Sequence, residues 1–181
     1  MKALSLMLIS FLLVSDGKTL RISFNDGKDI DSWTIINDGV MGGLSVGSIS
    51  QTDNGVRFAG EVSLENNGGF TSYKSEFARY DLSKYKSMSI RYRSSGHDIG
   101  FQLENNQQFY LPYFKINLPV SSEWTTLKFD FEDFGQYRMG RKMGGSLNTD
   151  NLKDILRMGF ITNEKKAGKF SFEVAYVQFD E

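Results

Sequence analysis

The chain has 181 residues, with 21 basic and 22 acidic side chains, a formal net charge of −1 and no cysteine. A net charge near zero provides no field to select nucleic acid or an anionic membrane, and the lack of cysteine excludes disulfides, thiolate catalysis and zinc–thiolate sites. Stability must therefore come from packing, for which 15 Phe and 8 Tyr supply the bulk.

The first 17 residues are predicted to be a secretory signal peptide. Lys2 is followed by a nearly continuous apolar run over residues 3–14, and Ser15-Asp16-Gly17 offers small residues for cleavage. The run is shorter than the roughly 20 residues that a membrane-spanning helix needs. We expect an exported protein, periplasmic or extracellular, with residues 18–181 as a single domain. A buried N-terminal strand or helix is the alternative.

Acidic residues follow the first predicted strand and recur at the C-terminus. Asp26, Asp29 and Asp31 alternate with other residues, and Asp180 lies at the other end of the chain. Calcium requires six to eight oxygen ligands, which such carboxylates could supply if the two ends meet. An ordinary solvated loop is the favoured interpretation, so these are weak candidates for a structural calcium site. No other metal or cofactor is expected.

A glycine-rich turn follows the strand that starts at Trp33. Asn37-Asp38-Gly39 is a turn signal, Met41-Gly42-Gly43 continues the turn, and a second strand is predicted from Ser45. The pattern predicts a glycine-rich hairpin whose turn is a tight crossing packed under Trp33 and Met41. Because a strand follows the loop, where phosphate-binding loops are followed by a helix, nucleotide binding is not expected.

Period-two alternation dominates the rest of the chain and predicts antiparallel strands with one packed face. It occurs in four clear segments: Met88–Tyr92, Ile99–Leu103, Leu127–Phe131 and Phe170–Val174. Near Tyr176 the apolar parity shifts, which indicates a bulge or a strand buried on both faces. One helix is predicted over Asp150–Arg157, with Asn148 or Thr149 as N-cap and an end at Met158-Gly159, and a short turn at residues 81–85.

Two further segments could form binding surfaces. Gln102, Asn105, Tyr110 and Tyr113, with Arg91 and Arg93 expected on a neighbouring strand, combine the carboxamides and rings that a sugar-binding face uses. A hairpin with an Asn/Gln-rich turn is the plainer interpretation. Arg138, Arg141 and Lys142 alternate with Tyr137, Met139 and Met143 in a predicted long loop, which is suited to protein contacts or is merely disordered.

Catalytic residues are not indicated. The single histidine, His97, stands between Gly96 and Asp98 in a predicted exposed turn, and it is the only conventional base for a serine nucleophile. Glu61 and Glu65 could share a strand face as a glycosidase pair, but nothing distinguishes them from solvated charges. We expect the protein not to be an enzyme.

The positions Trp33, Asn37-Asp38-Gly39, Met41-Gly42-Gly43, Ser45, Gly60, Gly69-Phe70 and Trp124 together resemble the complex I intermediate-associated protein 30 family. The resemblance extends from about Phe24 to Phe179. It implies an all-β, galactose-binding-like jelly-roll β-sandwich with one or two short helices, an assembly-factor role in the mitochondrial members, and no established catalytic residues.

Three functions follow from these patterns. The leading hypothesis is a non-catalytic, exported module that binds a protein or protein assembly through Asn37, Asp38, Met41, Gly42, Gly43, Arg138, Arg141 and Lys142. The alternative is a carbohydrate-binding module that uses Gln102, Asn105, Tyr110, Tyr113, Arg91 and Arg93. A glycoside hydrolase is the third and least favoured. No nucleic-acid partner and no membrane span in the mature chain are expected.

Overall fold

The structure is a computed structural model that describes residues 19–25, 32–162 and 164–181. The predicted signal peptide and the side chains of Asp26, Asp29 and Asp31 lie outside these residues. In the part of the chain that is described, no helix has the length and apolar character to cross a membrane.

The described residues form a sandwich of two antiparallel sheets, which confirms the predicted fold class. The six-stranded sheet contains β1 Thr19–Ser23, β3 Val46–Thr52, β4 Gly55–Val62, β6 Ser87–Ser95, β9 Thr125–Asp130 and β13 Gly168–Asp180. Its order is β3-β4-β13-β6-β9, and β1 also pairs with β13. The seven-stranded sheet contains β2 Trp33–Asn37, β5 Thr71–Ser75, β7 Ile99–Glu104, β8 Tyr113–Leu118, β10 Gly135–Arg138, β11 Arg141–Ser146 and β12 Arg157–Thr162. Its order is β11-β10-β8-β7-β12-β5-β2.

The core between the sheets is aromatic, as the composition requires. Trp33 contacts Phe24 edge-to-face at 5.2 Å between ring centroids and Tyr73 at 5.1 Å, and Phe160 meets Phe172 of the opposite sheet at 4.8 Å. Full burial of one such side chain contributes about 2–3 kcal/mol. The apolar members of the alternating segments in β6, β7 and β13 are buried in this core, which confirms the period-two prediction.

The parity shift near Tyr176 is a β-bulge. The pairing of β13 with β6 changes register between Val174 and Tyr176, so that Val177 and Phe179 continue the buried face begun by Phe170. On its other side β13 pairs with β4 up to Val174 and with β1 from Tyr176 onward.

The predicted helix over Asp150–Arg157 is wrong in length. Only Thr149–Leu152 is helical (α1), with Asn148 as the predicted N-cap, whose side chain accepts a hydrogen bond from the Asn151 N–H. Short 3-10 helices cover Asp38–Met41, Glu65–Asn67 and Phe131–Asp133. Residues Met158 and Gly159, predicted to end the helix, lie inside β12.

Two loop predictions also need correction. The segment after Trp33 is not a hairpin, because β2 lies at the edge of the seven-stranded sheet and β3 at the edge of the six-stranded sheet. The chain crosses between the sheets there. The predicted long loop after Gly135 is instead the β10–β11 hairpin, whose turn residues Met139 and Gly140 have φ values of 48° and 77°.

Candidate functional site

The crossing between β2 and β3 is held by the buried carboxylate of Asp38. Its Oδ1 accepts a hydrogen bond from the Ser45 N–H at 2.9 Å, and its Oδ2 accepts from the Ser45 hydroxyl at 2.6 Å, the Gly69 N–H at 2.7 Å and the Phe70 N–H at 3.2 Å. Burial opposes ionisation of this group, but the hydrogen bonds from Ser45, Gly69 and Phe70 together hold the pKa of Asp38 below its usual value. Asp38 therefore joins the crossing to the start of β5.

Asn37 makes a second link of the same kind. Its side-chain oxygen accepts from the Gly47 N–H at 3.0 Å and from the Thr71 hydroxyl at 2.6 Å. Gly47 belongs to β3 and Thr71 to β5, so the Asn37 amide ties the two sheets together at this edge.

The glycines of the crossing leave room for the Asp38 side chain and allow the backbone to turn. A Cβ on Gly43 would lie 2.4 Å from Cγ of Asp38, and Gly42 has a φ of +89°. The N–H groups of Gly42 and Gly43 donate to the carbonyls of Gly39 and Asp38 within the turn. Asn37, Asp38, Gly42 and Gly43, which we predicted as partner contacts, therefore act first in holding the fold.

The outside of this anchored crossing carries a group of exposed apolar side chains, which we call the apolar rim. Its members are Val40, Met41, Leu44, Val46 and Leu64, and Val40 is 78% exposed. Leu44 and Val46 also line a groove together with Glu61, Val62 and Ala167. Met41 is exposed, whereas we predicted that it would cover the crossing together with Trp33. Clustered apolar side chains at a surface are typical of interaction sites.

The second predicted contact segment lies elsewhere. Arg138, Arg141 and Lys142 are exposed on the β10–β11 hairpin, at the opposite end of the seven-stranded sheet from β2. The crossing and this hairpin therefore do not form one continuous surface, which corrects the combined site that we predicted.

The outer surface of the seven-stranded sheet is polar, and we call it the polar face: Lys74, Gln102, Glu104, Tyr113, Lys115 and Tyr137. The strand registers place Gln102 directly opposite Lys115, and Tyr113 directly opposite Tyr137. Lys74 and Glu104 form an ion pair across it. Residues directly opposite each other in neighbouring strands project to the same side, so these groups converge.

Lys115 is buried at the centre of this face although it carries an ammonium group. The residue is 6% exposed, and burial lowers the pKa of Lys115 to about 8. Its Nζ lies 4.0 Å from the centroid of the Tyr137 ring. Among the described residues no carboxylate pairs with it, since the nearby Glu104 is bound by Lys74. The sequence prediction missed this lysine, because its alternation with Phe114 and Ile116 indicates an exposed side chain.

Gln102 is 2% exposed, and its Oε1 has no hydrogen-bond partner among the described residues. Burial raises the pKa of Tyr113, whereas hydrogen bonds from the Gly140 backbone and from Gln102 oppose the rise. A buried oxygen without a donor is unfavourable in a native protein and calls for an explanation.

The structure brings most of the predicted sugar-binding residues to one end of the polar face. The loop between β7 and β8 carries Asn105 and the exposed Tyr110, next to Gln102 and Tyr113 on the flanking strands. The Arg138 Nε donates to the Tyr110 carbonyl at 3.0 Å, which joins the β10–β11 hairpin to this loop.

Arg91 and Arg93 do not belong to this group. They lie on β6 in the six-stranded sheet, where both guanidinium groups face the Trp124 ring at 5.5 and 5.2 Å. Arg93 also pairs with the buried Glu173 at 2.7 Å. Burial opposes ionisation of Glu173, but hydrogen bonds from Thr52 and Arg93 hold its pKa below the usual value. These arginines stabilise the opposite sheet.

The predicted exposure of His97 is also wrong. The residue is 2% exposed, its ring packs edge-to-face on Phe170 at 6.1 Å, and its Nδ1 lies 3.6 Å from the Glu164 carboxylate. Glu61 and Glu65 are not on one strand, because Glu65 opens a 3-10 helix. Asp180 accepts a hydrogen bond from Gln178, and the described residues hold no group of three or more potential metal ligands.

Comparisons with known proteins agree with this architecture. The sequence model for Complex I intermediate-associated protein 30 (CIA30) matches residues 22–174, whereas no curated protein matches the chain. Among solved structures, the chain is similar to the family 11 carbohydrate-binding module of the cellulosomal cellulase Lic26A-Cel5E of Clostridium thermocellum, with 18% identity and a TM-score of 0.62 over 88% of this chain and 94% of that one.

Two further structures show the same fold at lower identity. The xylan-binding module CBM15 is 13% identical, with a TM-score of 0.51 over 90% of this chain and 95% of the module. An agarase is 11% identical, with a TM-score of 0.57 over 91% of this chain and 25% of the agarase. These similarities support the sandwich fold.

Proposed function

Because the chain belongs to the complex I intermediate-associated protein 30 family, we propose that it is a non-catalytic binding module that engages a partner protein through the apolar rim. The family's name describes association with a protein assembly, which supports a protein partner. The predicted leader at residues 1–17 supports action outside the cytoplasm, in a periplasm or the medium. Sequencing the N-terminus of the mature protein from its own cells tests that location.

One observation carries the proposal: apolar side chains are exposed on a support that cannot easily deform. Val40, Met41 and Leu44 lie on the crossing that Asn37 and Asp38 fix through buried and partly buried hydrogen bonds. A rigid apolar surface loses little conformational entropy when a partner covers it. Each apolar side chain that becomes fully buried contributes roughly 1.5–3 kcal/mol.

Site-specific photo-crosslinking tests the proposal. A photoreactive residue at Met41, another exposed member of the rim, is expected to capture one defined protein in the native cells. The double variant Val40→Ser/Leu44→Ser, which carries the same photoreactive residue, is expected to abolish that capture. Val120→Ser is the matched control, because Val120 is an exposed valine outside the rim. Capture that survives the double variant, or that is lost equally with Val120→Ser, contradicts a role for the rim.

A second candidate function is carbohydrate binding on the polar face. The observation that favours it is the convergence of Gln102, Tyr113, Lys115 and Tyr137 on one sheet, with Tyr110 and Asn105 at its end. The similar family 11 module has been solved with a β-1,3-1,4-mixed-linked tetrasaccharide, which supports this use of the fold. A glycan array tests it: sugar binding that is lost in Tyr113→Ala and unaffected by Val40→Ser is expected.

A further inference from the structure

We propose that the centre of the polar face binds a saccharide that carries a carboxylate, such as a uronic acid residue, through Lys115 and Gln102. This inference rests on the second candidate function and specifies its ligand. In the proposed complex the carboxylate accepts hydrogen bonds from the Lys115 ammonium, and a neighbouring sugar hydroxyl donates to the free Gln102 Oε1.

The charge distribution of the face favours an anionic ligand. Lys115 is the buried charge, and the groups that face it from neighbouring strands are the neutral Gln102 and Tyr137, with Tyr113 on its own strand. The only carboxylate among the polar-face residues, Glu104, is already paired with Lys74. A ligand carboxylate would supply the partner that the described chain does not provide.

The edge of the face adds positive charge. Lys142 is directly opposite Tyr137 in the β10–β11 register, and its side chain lies close to Gly135. Arg138 and Arg141 are directly opposite each other in the register of the same hairpin, next to its turn. Among the described residues, Arg141 and Lys142 make no ion pair, so their charges remain available to attract an acidic polymer.

The free Gln102 oxygen indicates a hydroxylated ligand and not a simple anion. Gln102 and Lys115 are a directly opposed pair, whose Cβ atoms are typically about 5 Å apart. Within the described chain, the Gln102 Oε1 is therefore an acceptor without a donor, and it lies beside the Lys115 ammonium, which is a cationic donor without a carboxylate partner. A sugar ring that carries a carboxylate next to a hydroxyl presents the complementary donor and acceptor, because hydroxyls donate as well as accept.

The tyrosines provide a surface for the sugar ring. The rings of Tyr113 and Tyr137 are 6.1 Å apart and inclined by only 20°. Tyr137 folds back over Gly135, where a Cβ would lie 3.2 Å from its Cε2, and covers the Lys115 ammonium. Binding therefore requires Tyr137 to turn away from Lys115. The ring lies on the β10–β11 hairpin, the edge of the sheet, where β11 is exposed along its length.

Calorimetric titration of the full domain with oligogalacturonates and oligomannuronates tests the inference. The matched ligands are the same oligosaccharides after reduction of their carboxylates to alcohols. We expect at least one of the acidic oligosaccharides to bind at least tenfold more tightly than its reduced form. Lys115→Met should remove this preference, Lys115→Arg should retain part of it, and Lys128→Met, on the exposed face of the other sheet, should leave it unchanged.

A second variant keeps Lys115 but supplies its missing partner. Gln102→Glu places a carboxylate directly opposite Lys115, so we expect it to weaken binding of the acidic ligand at least tenfold and to leave reduced oligosaccharides much less affected. Equal affinity for acidic and reduced ligands overturns the inference but leaves sugar binding intact. Binding of neither kind overturns the inference, and the glycan array then decides separately whether the polar face binds another sugar. Equal binding of poly-glutamate would show that the site recognises carboxylates without recognising sugar, which also overturns it.

Discussion

Replacement of Lys115 by methionine should stabilise the free protein at neutral pH. Methionine keeps the length and apolar character of the lysine stem but removes the buried ammonium. Burial lowers the pKa of Lys115 from 10.5 to about 8, which corresponds to a cost of about 3 kcal/mol when the group is protonated in the folded state. The contact with the Tyr137 ring offsets about 1 kcal/mol of this cost. We therefore expect a net gain in the free energy of unfolding of about 2 kcal/mol.

The gain in the free energy of unfolding should depend on pH, and the lowered pKa of Lys115 fixes the direction of this dependence. The pKa of Lys115 is lower in the folded than in the unfolded protein, so between about pH 8 and 10.5 the unfolded chain binds more protons. The wild type must therefore gain stability relative to Lys115→Met over this window, and the full cost is present below about pH 8. The difference between the two proteins should shrink toward zero near pH 10.5.

Urea unfolding at pH 7, 8, 9 and 10.5, followed by tryptophan fluorescence and analysed by linear extrapolation, measures this difference. Lys128→Met is the control, because it removes a lysine from an exposed position. A Lys115→Met protein that is less stable than wild type at pH 7 refutes the reasoning. So does a stability difference that stays constant from pH 7 to pH 10.5.

Other predictions concern the anchors of the fold. Asp38→Asn should lower the free energy of unfolding by about 3 kcal/mol, because an amide cannot accept all four hydrogen bonds. Since the pKa of Asp38 is lowered in the folded protein, the stabilisation by its carboxylate should be lost as pH falls below the usual carboxylate range. A variant whose stability depends on acid pH as that of the wild type does contradicts this. Gly43→Ala should lower the free energy of unfolding by more than about 1 kcal/mol, measured by thermal or urea unfolding. Gly39→Ala is the control, because nothing lies within 4 Å of its new Cβ, and it should change this free energy by no more than about 0.5 kcal/mol. Similar effects of the two substitutions would contradict the role of close packing at Gly43. Glu173→Gln should cost about 1–2 kcal/mol because it weakens the bonds from Thr52 and Arg93, and an unchanged urea midpoint would show that this buried pair contributes nothing.

The sequence predicted the sheets well because alternation is a local property. The inward residues of β6 and β7 follow directly from period two, and the parity change at Tyr176 identified the bulge. Alternation does not say which sheet a strand joins. The strands around Asp38 were therefore interpreted as a hairpin, and β6 was expected beside β7, which placed Arg91 and Arg93 on the wrong face.

The helix prediction failed through tertiary contacts. Leu152, Ile155 and Leu156 have helical spacing, yet Ile155 exchanges backbone hydrogen bonds with Tyr80 and the Leu156 N–H donates to the Glu104 carbonyl. These long-range bonds replace the helical ones after the first turn. Gly159 lies between β5 and β7, where its lack of a side chain gives room for the stem of Lys74.

The candidate sites were predicted in part. Gln102 and Tyr113 were singled out from the residue types, and they do converge on the polar face. Lys115 was missed because a lysine that alternates with core residues is normally solvated. Its burial depends on Tyr137, which arrives from a strand more than twenty residues later in the chain. No local pattern contains that information.

The residues that carry the family resemblance divide into two groups with different physical roles. Asn37, Asp38 and Gly43 are occupied by internal hydrogen bonds and close packing, so the fold itself accounts for them. Met41, and Val40 directly before it in the chain, are exposed and contribute little to the core. Folding therefore does not require apolar side chains at these two positions. A contact with another molecule would account for their exposure on the fixed crossing. The interaction surface is therefore separate from the structural part of the motif.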